Sequence, residues 1–80
     1  MKARVYVSLK PTVLDPQGQT IRAALNSHGH NNILDVRQGK FFEIQIADGD
    51  REAVRREIEE IAGDVLANPV IEEYRVEVLD

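Results

Sequence analysis

Hydrophobic and polar residues alternate at both ends of the chain, which is the pattern of a strand with one buried face. Near the start the alternating apolar positions are Val5, Val7 and Leu9, and near the end the alternation runs over residues 73–78. Successive side chains of a strand point to opposite faces of its sheet. The pattern therefore predicts a first and a last strand, each half-buried.

Two stretches between these strands carry apolar residues at helical spacing. The first begins at Asp15-Pro16. Aspartate before a helix accepts hydrogen bonds from the amides of the first turn. Proline is favourable at the first helical position, because the N–H that it lacks would have no partner within the helix. This helix should run over residues 16–28 and end at Gly29. The second follows Asp48-Gly49-Asp50 and ends at Asn68-Pro69. Its apolar stripe comprises Val54, Ile58, Ile61, Ala62, Val65 and Leu66.

The segment 33–47 has the alternation of extended chain, but the pattern leaves its strand organisation open. Gln38-Gly39 interrupts the segment, and the apolar positions on both sides share one parity. A two-residue hairpin loop there would place these positions on opposite faces. A three-residue loop at 37–39 and one long strand bent at Gly39 both keep a single apolar face.

The predicted order of elements is β-α-β(-β)-α-β, in which the segment 33–47 is either a hairpin or one long bent strand. Two helices can cover one face of an antiparallel sheet, which is the ferredoxin-like arrangement of the α+β class. Eighty residues without repeats or linkers predict a single domain over 1–80. A chain this short buries only about 60% of its unfolded surface, so self-association is a common supplement.

Composition excludes several classes of protein. The absence of cysteine excludes disulfides and thiolate chemistry. The formal net charge of −4 disfavours nucleic-acid binding, which needs a basic surface. No apolar run reaches the roughly 20 residues that span a bilayer, and the start of the chain lacks the apolar segment of a signal peptide. We therefore expect a cytoplasmic protein without nucleic-acid or membrane partners.

No group of residues in the sequence forms a self-sufficient reaction centre. His28 and His30 are the only histidines and lie in a polar turn, with too few neighbouring ligands for a metal. The carboxylate pairs at 59–60 and 72–73 have no evident apolar pocket that would raise a pKa. Single glycines exclude a phosphate-binding loop. The residues thus predict a small interaction module with no catalytic, cofactor-binding or metal-binding residue.

Gly18 is the position that local rules leave unexplained. It falls in the first turn of the predicted helix, where glycine is less favourable than alanine by up to about 1 kcal/mol. A glycine there indicates that another backbone or a partner approaches closely. Capping explains Asp15 and Pro16, whereas Gln17 and Gly18 become candidates for a contact.

Three motifs combine into a resemblance that covers essentially all 80 residues. They are VLDPQG at 13–18, DVRQGK at 35–40 and LANPVIE at 66–72. In this order and spacing, the sequence resembles the small PurS-type subunit of phosphoribosylformylglycinamidine synthase, the glutamine-dependent ligase of de novo purine biosynthesis. The departures are local, since Thr12 stands where the family often has glycine and residues 28–32 are unusually polar.

The resemblance implies a non-catalytic subunit of an ATP-consuming ligase. A glutaminase subunit releases ammonia from glutamine, and a large synthetase subunit uses ATP to activate the formylglycinamide ribonucleotide (FGAR). Ammonia then displaces the activated oxygen and gives formylglycinamidine ribonucleotide (FGAM). The small subunit is expected to form a homodimer or a larger oligomer, to contact both larger subunits and to assist ammonia transfer. It would bind no cofactor itself, because ATP and glutamine are used by its partners.

The subunit contacts implied by the resemblance are motif positions rather than catalytic groups. They form the helix start, flank Gly39 or shape the beginning of the last strand. The positions are Asp15, Pro16, Gln17, Gly18, Arg37, Lys40, Asn68 and Pro69.

Two other families share the predicted fold class. A regulatory small-molecule-binding domain of the ACT type has the same plan, but its ligand loop usually carries glycine where this chain has Pro11 and Asp15-Pro16. The acylphosphatases place a glycine-rich loop with an arginine after the first strand, and this chain has Pro11-Thr12-Val13 there.

Overall fold

The computed structural model describes residues 1–79, whose elements follow the predicted order. They are β1 (Lys2–Leu9), α1 (Pro16–Ser27), β2 (Gly39–Gln45), α2 (Arg51–Ile61), a π-helical turn (Ala62–Leu66) and β3 (Glu72–Leu79). The strands of this described part form one antiparallel sheet in the order β2-β1-β3. The predicted α+β class is confirmed. Asp80, the last residue of the predicted domain 1–80, lies outside the described residues.

The central extended segment contains one strand, β2, and no hairpin within the described residues. Residues 33–38 have no strand pairing, and β2 begins at Gly39, where the bend was predicted. β2 pairs with β1, and Phe42 lies opposite Val5. The predicted parity therefore holds, because the apolar positions of β2 share the core face of the sheet.

The core lies on one face of the sheet, beneath α2. Ile58 of α2 and Val5 and Val7 of β1 are the largest fully buried side chains. Each such burial contributes about 1.5–3 kcal/mol relative to an exposed side chain. The other buried apolar residues are Ala3, Val54, Ala62, Ala67, Val76 and Val78.

The opposite face of the sheet carries ion pairs, a cation–π contact and stacked aromatic rings. Arg4 of β1 lies 3.3 Å from Glu43 of β2. The guanidinium carbon of Arg75 lies 4.2 Å from the ring centre of Tyr6, which stacks on Phe41 with ring centres 6.0 Å apart. Cross-strand pairs of these kinds stabilise the register of a sheet.

The last turn of the second helical stretch differs from the predicted regular helix. The amide of Ala67 donates to the carbonyl oxygen of Ala62 at 2.9 Å, which is the i→i+5 bond of a π-helix. The wider turn rotates the side chains that follow. Val65, predicted in the apolar stripe, is consequently 75% exposed, whereas Ala67 is buried.

α1 does not cover the sheet, although the sequence predicts that both helices do. Its Leu25 is half-buried and its Ile21 is 38% exposed. The described chain measures 49 × 26 × 14 Å with a radius of gyration of 16.1 Å, against about 12 Å for a compact domain of this length. Phe42 and Ile44 of β2 are left half-buried. The start of α1 is instead held at the end of the sheet, where Asp15 accepts a hydrogen bond from the amide of Gln38, the residue before β2.

Replacing Ile58 by alanine should lower the free energy of unfolding by about 2–5 kcal/mol, because a fully buried side chain leaves a cavity. Val65→Ala is the matched control on the same helical stretch and should cost at most about 0.5 kcal/mol. Urea denaturation at one fixed chain concentration measures both. Equal losses would show that Val65 is packed like Ile58 and would contradict its exposed position.

Candidate functional site

The three sequence motifs converge at one end of the sheet. β1 ends there while β2 and β3 begin, because both outer strands run antiparallel to the central one. Ser8 lies opposite Gly39 of β2 and opposite Glu73 of β3. Residues far apart in sequence thereby surround an open groove of about 520 Å³. Among the residues that line it are Asp15, Pro16, Gln17, Gln38, Lys40 and Glu72.

Asp15 is the centre of this junction. Its side chain is buried, with 4% of the residue surface exposed. One carboxylate oxygen, Oδ1, accepts a hydrogen bond from the amide of Gly18 at 2.9 Å, which is the predicted helix cap. The other, Oδ2, accepts from the amide of Gln38 at 2.6 Å. Asp15 therefore joins the start of α1 to the segment that leads into β2.

These hydrogen bonds also set the ionisation of Asp15. The Gln38 amide is the largest cause of a pKa below the usual range of an aspartate, and the Gly18 amide is the next. The nearby charge of Arg37 acts in the same direction, while burial opposes them. The carboxyl group of Asp15 is therefore an anion at neutral pH, and its oxygens accept hydrogen bonds from backbone amides. An ionised carboxylate of this kind is a poor general acid.

Gly18 is explained by a close approach within the chain. A Cβ atom at this position would collide with the carbonyl oxygen of Val36, and it would lie 2.8 Å from Oδ2 of Asp15. The approaching group expected from the sequence is thus a backbone of the same chain. A role of Gly18 in a subunit contact stays a prediction, and a buried residue can serve it only by shaping the surface.

Polar side chains around Asp15 join residues 37–38, which precede β2, to the start of α1 and to the segment before it. The side-chain amide of Gln38 donates to Oε1 of Gln17 at 2.6 Å. The guanidinium of Arg37 donates to the carbonyl oxygen of Lys10 at 3.0 Å. The structure thus brings Gln17 and Arg37 into one set of contacts, and the nearby Lys40 lines the groove.

Gln38 is the residue that sequence reasoning missed. Its decisive group is the backbone amide, which every residue except proline carries. The type of side chain therefore gives no signal for this contact. Only the fold, which places Gln38 beside Asp15, reveals it.

Asn68 and Pro69 form the turn that leads into β3. The amide of Val70 donates to Oδ1 of Asn68 at 3.0 Å, which is an Asx turn. The amide of Asn68 donates to Oε1 of Glu72 at 2.7 Å, and Glu72 also lines the groove. This motif thus shapes the third side of the junction, as the sequence predicts for the beginning of the last strand.

The surface of the groove at this junction is mostly apolar, and its polar side chains include a hydroxyl, amides, carboxylates and one ammonium. Gln17 and Lys40 are exposed there, whereas His28 and His30 lie exposed past the far end of α1. Residues 1–79 contain no cluster of three or more histidine or carboxylate side chains placed to hold a metal ion. No helix within them is long and apolar enough to cross a membrane. Fold and groove together define a small α+β module with an open groove at one end of its antiparallel sheet.

Comparison with known proteins identifies the family of this module. The family model described as PurS, phosphoribosylformylglycinamidine (FGAM) synthase, matches residues 2–80. The PurS subunit of Bacillus subtilis is 48% identical over 77 residues, which cover 96% of this chain and 90% of the relative. The PurS subunit of Methanocaldococcus jannaschii is 43% identical over 77 residues, 96% and 93% of the two chains. The chain belongs to the PurS family of FGAM synthase subunits.

Solved structures agree with this assignment. PurS of Bacillus subtilis has a TM-score of 0.86 at 47% identity, and the match covers 99% of this chain and 98% of that one. The structure of PurLQS from Thermotoga maritima contains a chain with a TM-score of 0.87 at 28% identity, over 98% and 95% of the two chains. The resemblance seen in the sequence, to a ligase subunit of purine biosynthesis, is thus confirmed, and the ACT and acylphosphatase alternatives are set aside.

Replacing Gly18 by alanine should destabilise the chain, because the added methyl group collides with the backbone at Val36. An unconstrained helix position would gain up to about 1 kcal/mol from this change, so the sign of the effect is diagnostic. We expect a loss of about 1–3 kcal/mol, typical of overpacking. Gly49→Ala is the matched control, since its Cβ would meet its nearest neighbour at 3.9 Å. Chemical denaturation compares the two, and a neutral or stabilising Gly18→Ala would contradict the close approach.

Proposed function

We propose that this chain is a non-catalytic subunit that bridges the glutaminase and the ATP-dependent synthetase subunits of FGAM synthase and assists ammonia transfer between them. The complex would convert FGAR, glutamine and ATP to FGAM in the cytoplasm. ATP and glutamine would bind to the larger subunits, and this chain would hold no cofactor. The PurLQS structure from Thermotoga maritima supports the proposed assembly, because its name joins PurS to PurL and PurQ in one complex.

The observation that carries the proposal is that the three family motifs build a structural junction with an open groove. The ionised carboxylate of Asp15 is used by backbone amides, and the groove presents Gln17 and Lys40 to the outside. Such a surface can recognise a protein.

A bridging subunit can raise the rate of a two-site reaction without touching the reacting atoms. Ammonia released into water diffuses away or becomes protonated, and the protonated form is no nucleophile. Holding two active sites in fixed positions replaces a diffusive encounter with a local one. Excluding water from the path between them prevents the loss of ammonia.

The uncovered surfaces of the single chain support a homodimer. Ile21 and Leu25 of α1 do not belong to the hydrophobic core of their own chain. Phe42 and Ile44 of β2 lie on a face of the sheet that is only half-covered. These two surfaces are complementary in character, since both are apolar. In a two-fold pair, α1 of each copy would cover the β2 side of the other copy's sheet.

The outer edge of β2 supports the same arrangement. Residues 33–38 are unpaired in their own chain, and Leu34 is 79% exposed. An exposed strand edge is a template for pairing with another segment. In the proposed pair, residues 33–37 of one copy would lie beside β2 of the other, and each sheet would gain the fourth strand of the ferredoxin-like plan.

The remaining predicted contact positions would serve the larger subunits. Gln17, Lys40 and Pro69 are exposed near the groove or the turn before β3, so they can meet a partner directly. Asp15 is buried and would act by fixing the shape of this surface.

Reconstitution of the complex tests the bridging function. Leaving out this subunit should abolish FGAM formation with glutamine as the nitrogen donor, because ammonia no longer reaches the synthetase. FGAM formation from ammonium chloride should persist, because the synthetase makes the product from free ammonia. The measurement is FGAM formed at saturating ATP with each donor. Loss of both activities would overturn a role confined to ammonia transfer, and retention of both would show that the subunit is dispensable.

A further inference from the structure

We propose that the outer edge of β3 binds an extended segment of a larger subunit as an added antiparallel strand. β3 is an outer strand in the order β2-β1-β3, so this edge is separate from the β2 edge assigned to the homodimer. The inference rests on the proposed function, which supplies the larger subunits. It deepens that function by naming the edge at which one of them binds and the charges of the segment that fits.

The backbone groups of β3 that point outward follow from its pairing with β1. The amide of Lys10 donates to the carbonyl oxygen of Ile71 at 2.8 Å, and this bond continues the ladder in which Ser8 lies opposite Glu73. Along an antiparallel ladder, hydrogen-bonded pairs alternate with pairs that are not hydrogen-bonded. The odd-numbered residues of β3 therefore bond to β1, and the even-numbered residues direct their N–H and C=O groups away from the sheet.

The chain itself closes both ends of this edge. The guanidinium of Arg51 donates to the outward carbonyl oxygen of Val78 at 2.8 Å. At the other end, the outward amide of Glu72 donates to the carbonyl oxygen of Asn68 at 2.7 Å. These two groups are occupied, so an added strand would bond mainly to the middle of β3.

The middle of the edge is open. Within residues 1–79 no hydrogen bond from another element reaches the outward N–H and C=O groups of Tyr74 and Val76. The side chain of Tyr74 is exposed, as are those of Val70 and Ile71 in the turn before β3. Unpaired backbone groups are a template for another strand, and exposed apolar side chains give such a strand a surface on which to pack.

A second copy of β3 is a poor occupant of this edge because of its charges. The two-fold antiparallel pairing that uses only open backbone groups sets Tyr74 of one copy opposite Val76 of the other. Arg75 would then face the same residue of the second copy, and Glu73 would face Glu77. Like charges directly opposite one another destabilise a pair of strands. Each neighbouring register would place an open residue opposite an occupied backbone group.

The same charges define the segment that fits. Within residues 1–79 Glu73 forms no ion pair, whereas Glu77 lies 3.8 Å from both Arg4 and Arg75. A strand with an acidic residue opposite Arg75, and with basic residues two positions to either side, would replace each like-charge pair by an attractive one. The residues between them would lie on the side of Tyr74. The occupant is therefore an extended segment in which basic, acidic and basic residues alternate with apolar ones.

Tyr74→Pro tests the added strand, and Tyr74→Ala is its matched control. Both variants remove the ring, but only proline also removes the outward N–H that an added strand would use. β1 makes no bond to that N–H, and an edge strand tolerates proline at such a position. Calorimetric titration of the full chain into the glutaminase, the synthetase and their mixture measures the dissociation constants. We expect Tyr74→Pro to raise the constant for a larger subunit roughly tenfold above that of Tyr74→Ala.

Charge reversal is a second test, which does not depend on proline being accommodated. Glu73→Lys should raise the same dissociation constant about fivefold or more, because a basic residue would then face a basic residue. Glu60→Lys makes the same change of charge on the exposed surface of α2, and it should stay within about twofold of the wild type.

The outcomes separate this inference from the proposed function. Equal constants for the two Tyr74 variants, beside a wild type that binds a larger subunit, would overturn the added strand alone. Equal constants for Glu73→Lys and Glu60→Lys would overturn the charge pattern of the segment. A Tyr74→Pro chain with a lower mass than Tyr74→Ala in sedimentation would show that the edge pairs with a second copy, and would overturn the inference. A wild type that binds neither larger subunit would overturn the bridging function, and this inference with it.

Discussion

The buried carboxylate of Asp15 is the contact on which the shape of this chain depends. It accepts the amide of Gly18 on one side and the amide of Gln38 on the other. The first bond starts α1, and the second joins that start to the strand that follows. A single buried side chain thus ties the start of the helix to the residue that precedes β2, in a described chain that is elongated.

Local chemistry was enough to predict much of the fold. The alternation in β1 and β3, the Asp15-Pro16 cap and the stripe that contains Ile58 all lie within short stretches of sequence, and the structure contains the predicted elements. The position of α1 could not be predicted, because the start of the helix is held by the backbone amide of Gln38, a contact that side-chain type does not reveal. The π-helical turn was also missed, since it depends on one i→i+5 bond at Ala67.

The candidate site shows the same division. Three motifs were recognisable in the sequence. The sequence did not reveal that they meet at one end of the sheet. Gly18 stood out in the sequence as an unfavourable helix residue. Its cause is the carbonyl oxygen of Val36, and nothing in the sequence indicates that this residue approaches Gly18. In this PurS chain the motif residues therefore hold backbone segments in place, which suits a subunit whose proposed task is to position larger partners.

The direction of α1 is the central claim, and an intrachain distance tests it most directly. The chain has no cysteine, so spin labels on cysteines placed at Arg22 of α1 and Arg56 of α2 are unique. Diluting the doubly labelled chain into excess unlabelled chain leaves only the distance within one copy. The account predicts a long distance, with α1 extended past the end of the sheet. A short distance, as between helices packed side by side with axes about 10 Å apart, would contradict it.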